Sequence, residues 1–243
     1  MNGIPAFSPL QSGYGEKYQD RPRYDVIGLL EFPFRTVLEI GCGCGATGQA
    51  IQQQFPGVTY CGVELDPTAA ASARTVLDRV ITGNIEQMDL EHYDIRRNMF
   101  DVIICADVLE HLYDPWKVVG MFHRYLRPGG RVLASIPNVQ NVRILHNLVM
   151  ERWTYSSSGL LDATHIRFFT LHEIGQLFVK NGYAVEQVIS TCDNNMPTAG
   201  PWPRDLDLGK MVVKQVTAED VQRLFTFQYL IRAHTTVVGG GAS

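Results

Sequence analysis

Two parts of this chain carry residue types at spacings that can do chemistry. The first is Gly41-Cys-Gly-Cys-Gly45, with a glycine at every second position between an apolar run and a helical pattern. Glycines placed there let the backbone turn sharply and let a ligand approach it closely. Polar side chains then recur where successive apolar runs end: Glu64, Asn84 and Asp107. Glu64 lies about 20 residues beyond the turn, where an acid can accept bonds from ribose hydroxyls. Asn84 can meet the amino edge of an adenine. The second part is the segment Asp162-Ala-Thr-His-Ile-Arg-Phe-Phe-Thr170, in which charged groups alternate with aromatics. His165 in that segment, and His111 beyond the apolar run 100–105, suit proton transfer near neutral pH. Asp162 is either a further base or the group that orients His165. Structural uses compete at each position. His111 can cap and pack the start of a helix, Arg167 and Asp162 can pin a loop, and Phe168 and Phe169 can fill core.

The elements that must hold these groups alternate along the chain. Strand-like runs at 36–40, 58–63, 79–82, 100–105 and 131–136 are separated by helical patterns, the signature of a parallel sheet covered on both faces. The run 100–105 is almost uniformly apolar, as a central parallel strand should be. Asp66-Pro67 and Asp114-Pro115 supply N-caps with proline at the first helical position. The helix from 114 is expected to run to Leu126 and stop at Pro128-Gly-Gly130. Further helices are expected over 24–30, 46–55, 139–150 and 217–224. Thr170-Leu-His-Glu173 reads as a capping box opening a helix to about Lys180. A sixth strand is expected over 183–189 and a last one over 227–236. The expectation is one α/β domain over 24–237, with an N-terminal arm over 1–23 and a flexible tail over 238–243. Residues 152–169 read as a long acceptor-side loop, of the kind that often forms functional lids, and 192–209 as an insertion.

Composition removes several classes. The formal charge of −4 and the scattered Lys and Arg leave no broad footprint for nucleic acid. No apolar run reaches the roughly 20 residues of a membrane span, and no signal-peptide pattern opens the chain. Five scattered cysteines suit a reducing compartment, so a cytoplasmic location is expected. Cys42-x-Cys44 lacks a second pair at zinc-finger spacing, and no metal is assigned. Three glycines alone also occur in nicotinamide enzymes, but that fingerprint places two residues between its second and third glycines, where this chain has one.

At these residues the sequence resembles the class I S-adenosylmethionine-dependent methyltransferases. Val37-Leu-Glu-Ile-Gly-Cys-Gly-Cys-Gly45 is similar to their first motif, Gly62-Val-Glu-Leu-Asp66 to the second and Gly83-Asn-Ile-Glu86 to the third. Phe100 to Leu112 resembles the fourth, in the form seen in ubiquinone-biosynthesis O-methyltransferases. Leu126-Arg-Pro-Gly-Gly-Arg-Val-Leu133 resembles the family's turn into strand five. The resemblance implies a Rossmann-like sheet of seven mostly parallel strands, the last antiparallel, with S-adenosyl-L-methionine as cofactor. It implies that Gly41, Cys42 and Gly43 pass beneath the methionine part, and it counts Glu39 of the same motif among the cofactor-binding residues. Glu64 would bind both ribose hydroxyls and Leu65 would pack on adenine. Asn84 and Ile85 would flank that ring, and Ala106 would lie near the cofactor's amino-acid end. Cys42 and Cys44 stand where the family commonly has Ala, Thr or Ser. In the arm, Tyr14, Tyr18 and Arg23 are similar to Tyr-rich, Arg-Pro-containing arms that close over the cofactor.

The implied activity is methyl transfer to a hydroxyl or amine of a small metabolite, sugar-like or polyketide-like. A hydroxyl acceptor needs a base, for which His165, His111 and Asp162 are the candidates. The alternative is a non-catalytic cofactor-binding fold that serves as a partner or scaffold. A homodimer is compatible with either.

Overall fold

The computed structural model describes residues 21–192 and 195–236. Tyr14, Tyr18 and the tail therefore lie outside the described residues. A short helix α1 (Tyr24–Ile27) precedes β1 (Thr36–Ile40), α2 (Ala46–Gln54), β2 (Thr59–Glu64), α3 (Pro67–Ala73), β3 (Arg79–Thr82) and β4 (Phe100–Ala106). Then come α4 (Pro115–Met121), β5 (Leu126–Pro137), α5 (Val142–Val149), α6 (Leu171–Lys180) and β6 (Tyr183–Cys192). The chain continues through β7 (Arg204–Asp207), β8 (Val212–Val216), α7 (Ala218–Phe225) and β9 (Thr226–Thr235).

Seven strands form one sheet in the order β3-β2-β1-β4-β5-β9-β6. The pairs from β3 through β5 are parallel, and β9 runs antiparallel to both neighbours. The expected Rossmann-like sheet with an antiparallel last strand is the one observed. Side chains alternate across it because successive residues of a strand point to opposite faces. Leu38, Ile40, Ile103 and Cys105 join the core under α4 and α6. Val37, Val102 and Ile104 join the core under α1 and α2. The strand order reverses between β1 and β4, which makes their carboxyl ends the switch point where open α/β sheets bind ligands.

Local chemistry sets the helix starts. Asp66 Oδ1 accepts from the amides of Thr68 at 2.7 Å and Ala69 at 2.9 Å. Asp114 Oδ1 accepts from Lys117 N at 2.9 Å. Several expected boundaries shift. The helix from 114 ends at Met121 and tightens into a 3-10 turn over Phe122–Arg124. The Pro128-Gly-Gly130 segment is part of β5, which starts at Leu126 and pairs with β4 across a bulge. Strand β6 continues past Ile189 to Cys192 because β9 is long enough to pair with it. At Thr170 the side chain accepts from Glu173 N, and that one-way bond starts α6. The reciprocal box is at Thr217, where Asp220 Oδ2 takes the Thr217 amide at 2.9 Å and Thr217 Oγ1 takes the Asp220 amide at 3.1 Å. Part of the expected insertion forms β7, which pairs with β8 as a hairpin.

That hairpin, α5 and α7 share a small core of Val142, Leu206, Val216, Val221, Leu224 and Phe225. It adjoins a second one, in which Ile144 of α5 packs on Leu160 and Leu161 of the long loop. These pieces are joined to the end of β5 and the start of β9, beside the carboxyl edge of the sheet.

Candidate active site

The glycine turn leaves the end of β1 and returns over β2. Gly41 N donates to Val63 O at 2.8 Å, and Gly43 N donates to Glu64 Oε2 at 2.8 Å. Gly41 has φ +73°, and a Cβ there would fall 2.6 Å from Val108 Cγ2. Only glycine satisfies both the dihedral and the contact. Cys42 points away from the crevice. Its thiol is buried against Gly62, where a Cβ would meet the sulfur at 2.4 Å. Burial pushes that thiol well above its usual range, so it stays protonated and packs as a small hydrophobe. Cys42, Cys61, Cys105 and Cys192 are free thiols.

Glu39 lies behind the turn, 2% exposed, and its Oε2 accepts the Tyr60 hydroxyl at 2.9 Å. Burial raises its carboxyl from 4.5 to about 8, against the lowering effect of the Tyr60 bond. Glu64 ends β2 with its second oxygen accepting from Asp66 N at 2.9 Å. Each carboxylate oxygen thus spends one lone pair on backbone and keeps another. Leu65 is exposed, as a platform for a planar ring would be, whereas Ile85 is buried. Asn84 Oδ1 is held by Glu86 N at 2.9 Å. Ala106 is the last residue of β4, level with Ser135 of β5. Glu39, Gly41, Cys42, Gly43, Glu64, Leu65, Asn84, Ile85 and Ala106 therefore all belong to the carboxyl ends of β1 to β4 or the segments that leave them.

Asp107 follows in the left-handed region with φ +55°. It is locked there by Ser135, whose hydroxyl donates to Asp107 Oδ1 at 2.7 Å and accepts the Asp107 amide at 2.9 Å. The Arg23 guanidinium binds Asp107 Oδ2 on one side and both oxygens of Asp25 on the other. Arg23 N also donates to Thr47 Oγ1 at 3.2 Å, so the entry into α1 is tied to the helix that follows the glycine turn.

The residues proposed for proton transfer converge beyond β4. A 3-10 turn over Leu109–His111 carries Glu110 and His111. The Glu110 carbonyl accepts the amides of Ile166 and Arg167, each at 3.0 Å, and this brings the long loop onto the turn. His165 then lies edge-to-face on His111 with ring centroids 4.8 Å apart. Its Nδ1 donates to Leu160 O at 3.2 Å, which leaves Nε2 facing Glu110 Oε1 at 3.9 Å. His111 Nδ1 donates toward Thr164 O at 3.2 Å. Burial holds both imidazoles below their usual 6.5. Glu110 is 1% exposed, has no hydrogen-bond partner on either oxygen, and is pushed well above the carboxylate range by burial. Among the described residues, Glu110, His111 and His165 are the group whose side-chain ligand atoms, all within 4.8 Å of one another, could also hold a metal ion.

Asp162 does not orient His165 through its side chain. Its Oδ1 takes the Thr164 amide at 2.8 Å and the Thr164 hydroxyl at 2.6 Å. That hydroxyl sits 3.1 Å from His111 Nδ1, so Asp162 acts on His111 by way of Thr164. Arg167 pins the loop through the Tyr113 carbonyl, with Nε at 3.0 Å. Phe169 is core, but Phe168 is half-exposed against Trp153. Glu110, Thr164 and Ser135 were not singled out from sequence. A carboxylate set among apolar residues at the end of a buried strand was the one available signal for Glu110.

Comparison with known proteins agrees with this geometry. A family described as a methyltransferase domain matches residues 14–188. A ubiquinone biosynthesis O-methyltransferase of Pseudomonas paraeruginosa is 29% identical over 185 residues, covering 74% of this chain and 78% of that one. Among solved structures, a methyltransferase from Haloferax volcanii in complex with the Trm112 activator superposes with a TM-score of 0.61. It is 18% identical and covers 96% of each chain. A Thermotoga maritima S-adenosylmethionine-dependent methyltransferase gives 0.57 at 19% identity, covering 87% and 86%. The chain belongs to the methyltransferase domain family. It is an S-adenosylmethionine-dependent methyltransferase, and S-adenosylmethionine is its cofactor. Among the described residues no helix is long and apolar enough to cross a membrane.

Proposed function

We propose that the protein methylates a hydroxyl group of a small metabolite, with His111 as the proton acceptor. The observation that carries this is the edge-to-face pair of half-buried His111 and buried His165 just beyond β4, on the same sheet edge as the cofactor turn, where burial holds both imidazoles below their usual value. An amine in its free-base form already presents a lone pair, whereas a hydroxyl must lose its proton as it attacks. A neutral imidazole backed by Thr164 and Asp162 does this at ordinary pH. His111 is the partly exposed member and reaches the acceptor; His165 is buried behind it.

S-adenosylmethionine, when bound, would supply the methyl group as an electrophile and leave as S-adenosylhomocysteine, with an ether as the other product. His111 would take the proton that the acceptor hydroxyl loses, and holding that hydroxyl close and aligned would supply part of the acceleration. Glu64 would take the ribose hydroxyls, Leu65 and Ile85 would flank the adenine, and Asn84 would lie at its edge. Arg23, held by Asp25 and Asp107, would supply positive charge for the carboxylate of the methionine part. The relative named for ubiquinone biosynthesis supports an oxygen acceptor. A sugar-like or polyketide-like metabolite remains within the proposal.

The test is paired acceptors. Hydroxyl compounds should be methylated and their amine isosteres should not; methylation of the amines alone, or no binding of S-adenosylmethionine by calorimetry, overturns the reading. A second reading rests on the unpartnered Glu110 carboxylate. With His111 and His165 it makes a nitrogen and oxygen donor set suited to a divalent transition ion, which would lower the acceptor hydroxyl's pKa when bound. Activity lost on chelation and restored by Mn2+ or Zn2+ would select it over the imidazole base.

A further inference from the structure

Helix α7 ends in an unusual way. A helix leaves its last carbonyls unpaired, and many ends use a glycine in the left-handed region to satisfy them. Here Thr226, at φ −68° and ψ 126°, turns directly into β9. The Thr226 amide and hydroxyl take the Arg223 and Gln222 carbonyls, and two buried side chains from the segment that leaves β5 add to them. Asn138 Nδ2 donates to Arg223 O at 2.9 Å and to Thr226 O at 3.0 Å, and Asn141 Nδ2 donates to the same Thr226 O at 2.9 Å. Both asparagines are 0% exposed.

Their oxygens face the other way. Asn138 Oδ1 accepts from Gln140 N at 3.0 Å, and Asn141 Oδ1 accepts from Arg143 N at 2.9 Å as the N-cap of α5. The backbone adds two more ties. Asn138 N donates to Phe227 O and Val139 N donates to Phe169 O, each at 2.9 Å. Four segments therefore meet at this pair: the end of β5, the start of α5, the end of the long loop and the α7–β9 junction. From there a packed path leads to the active site. Ile144 of α5 packs on Leu160 and Leu161, and the Leu160 carbonyl holds His165 Nδ1.

We propose that Asn138 and Asn141 are positioning residues that clamp the acceptor-side elements in register with the end of β4, and so set where His165 meets His111 and Glu110. Apolar residues of the same size could fill the space, but only a satisfied polar network fixes one arrangement of these segments. The catalytic importance of that register rests on the function proposed above; the mechanical coupling does not.

The substitution Asn141→Ser separates the two jobs of that side chain. Serine still caps α5 but has no donor that reaches Thr226 O. Asn138→Ala removes the other half of the clamp, and Thr217→Ala is the control, weakening α7 at its opposite end. Three quantities are read in the full chain: amide exchange at Ile166 and Arg167, the ring resonances of His111 and His165, and affinity for S-adenosylhomocysteine. In Asn141→Ser, exchange at Ile166 and Arg167 should rise by about tenfold or more, as expected for local opening. The two histidine rings should shift, while β1 and β2 amides and cofactor affinity stay within about twofold. Thr217→Ala should lower the melting temperature and leave the histidine rings and these two amides alone. Unchanged protection at Ile166 and Arg167, or acceleration spread evenly over β1, β2 and β4, overturns the clamp. If Asn138→Ala does not fold, Asn141→Ser still decides the matter. If the unmodified protein fails to bind S-adenosylhomocysteine, the functional reading falls while the exchange pattern still tests the coupling.

Discussion

The Glu64 carboxylate accepts the Gly43 amide at 2.8 Å, so the residue that ends β2 also braces the turn that follows β1. Its other oxygen is held by Asp66 N. The carboxylate is fixed before any ligand arrives, with one lone pair left on each oxygen for a pair of ribose hydroxyls. Removing it should cost both the hydroxyl contacts and the preorganisation. Hydrogen bonds to charged groups contribute about 1.5–3 kcal/mol each, so Glu64→Ala should weaken S-adenosylhomocysteine binding by tenfold or more. Glu64→Gln keeps one acceptor oxygen and should fall between. Calorimetry measures this directly; unchanged affinity in Glu64→Ala would reduce Glu64 to a strut of the turn.

A second prediction concerns the contact beneath that turn. Gly62 leaves room for Cys42, since a Cβ at 62 would lie 2.4 Å from Cys42 Sγ and 2.9 Å from its Cβ. Gly62→Ala should therefore destabilise the fold by about 1–3 kcal/mol, the usual range for overpacking. Adding Cys42→Gly should recover much of that loss, because it removes both clashing atoms. Urea unfolding of the two single variants and the double variant gives the coupling. Additive effects would show that the backbone absorbs the extra methyl without the thiol.

The same turn marks how far the sequence could be read. Strands β1 to β4 and their polar end residues are local signals: apolar runs of strand length, glycines at a turn, Asp-Pro helix starts. Each is set by neighbours in the chain. The loop that carries His165 is set otherwise, by the Glu110 carbonyl far away in sequence. Spacing therefore offered Asp162 as partner to the nearer His165, although the Thr164 bond hands it to His111. The β7–β8 hairpin was illegible for a related reason. Leu206 and Val216 are buried only because α5 and α7 cover them, and the strands alone are short and largely exposed. At β5, the run Pro128-Gly-Gly130 reads as a helix stop, and Gly129 is indeed in the left-handed region. The strand passes through it because the bulge against β4 absorbs the irregularity.

Glu39 makes stability depend on pH in a definite direction. Its carboxyl is raised from 4.5 to about 8 by burial, so the folded chain holds a proton that the unfolded chain releases. The stabilisation tied to that proton is complete below about pH 4.5 and is lost as pH rises towards about 8. Glu39→Gln keeps an acceptor for the Tyr60 hydroxyl and has no proton to lose. Relative to the unmodified protein, it should gain stability steadily between pH 5 and 8 and level off above that. Urea midpoints at several pH values test this, and a difference that does not vary with pH would mean that Glu39 is ionised in the fold.

The sharpest prediction lies in the order of the groups around His111. The residues proposed to hold the cofactor sit at the ends of β1 to β4, whereas His111, Thr164 and Asp162 belong to the turn after β4 and the loop folded onto it. His111→Ala should leave S-adenosylmethionine affinity near that of the unmodified protein and lower turnover on a hydroxyl acceptor by about 100-fold or more, the usual share of a general base. Thr164→Val keeps the side chain's volume and cuts the link from Asp162, so it should lower turnover less and shift the pH at which activity sets in. Asp162→Asn should follow Thr164→Val, since both act on the same imidazole through the same hydroxyl, and the double variant should be little worse than either. His165→Ala should act through the packing of His111 and Glu110, with a loss smaller than that of His111→Ala. If His165→Ala is the more damaging of the two while His111→Ala stays active, the proton goes to the buried ring, and the acceptor must enter deeper than the exposed edge of His111.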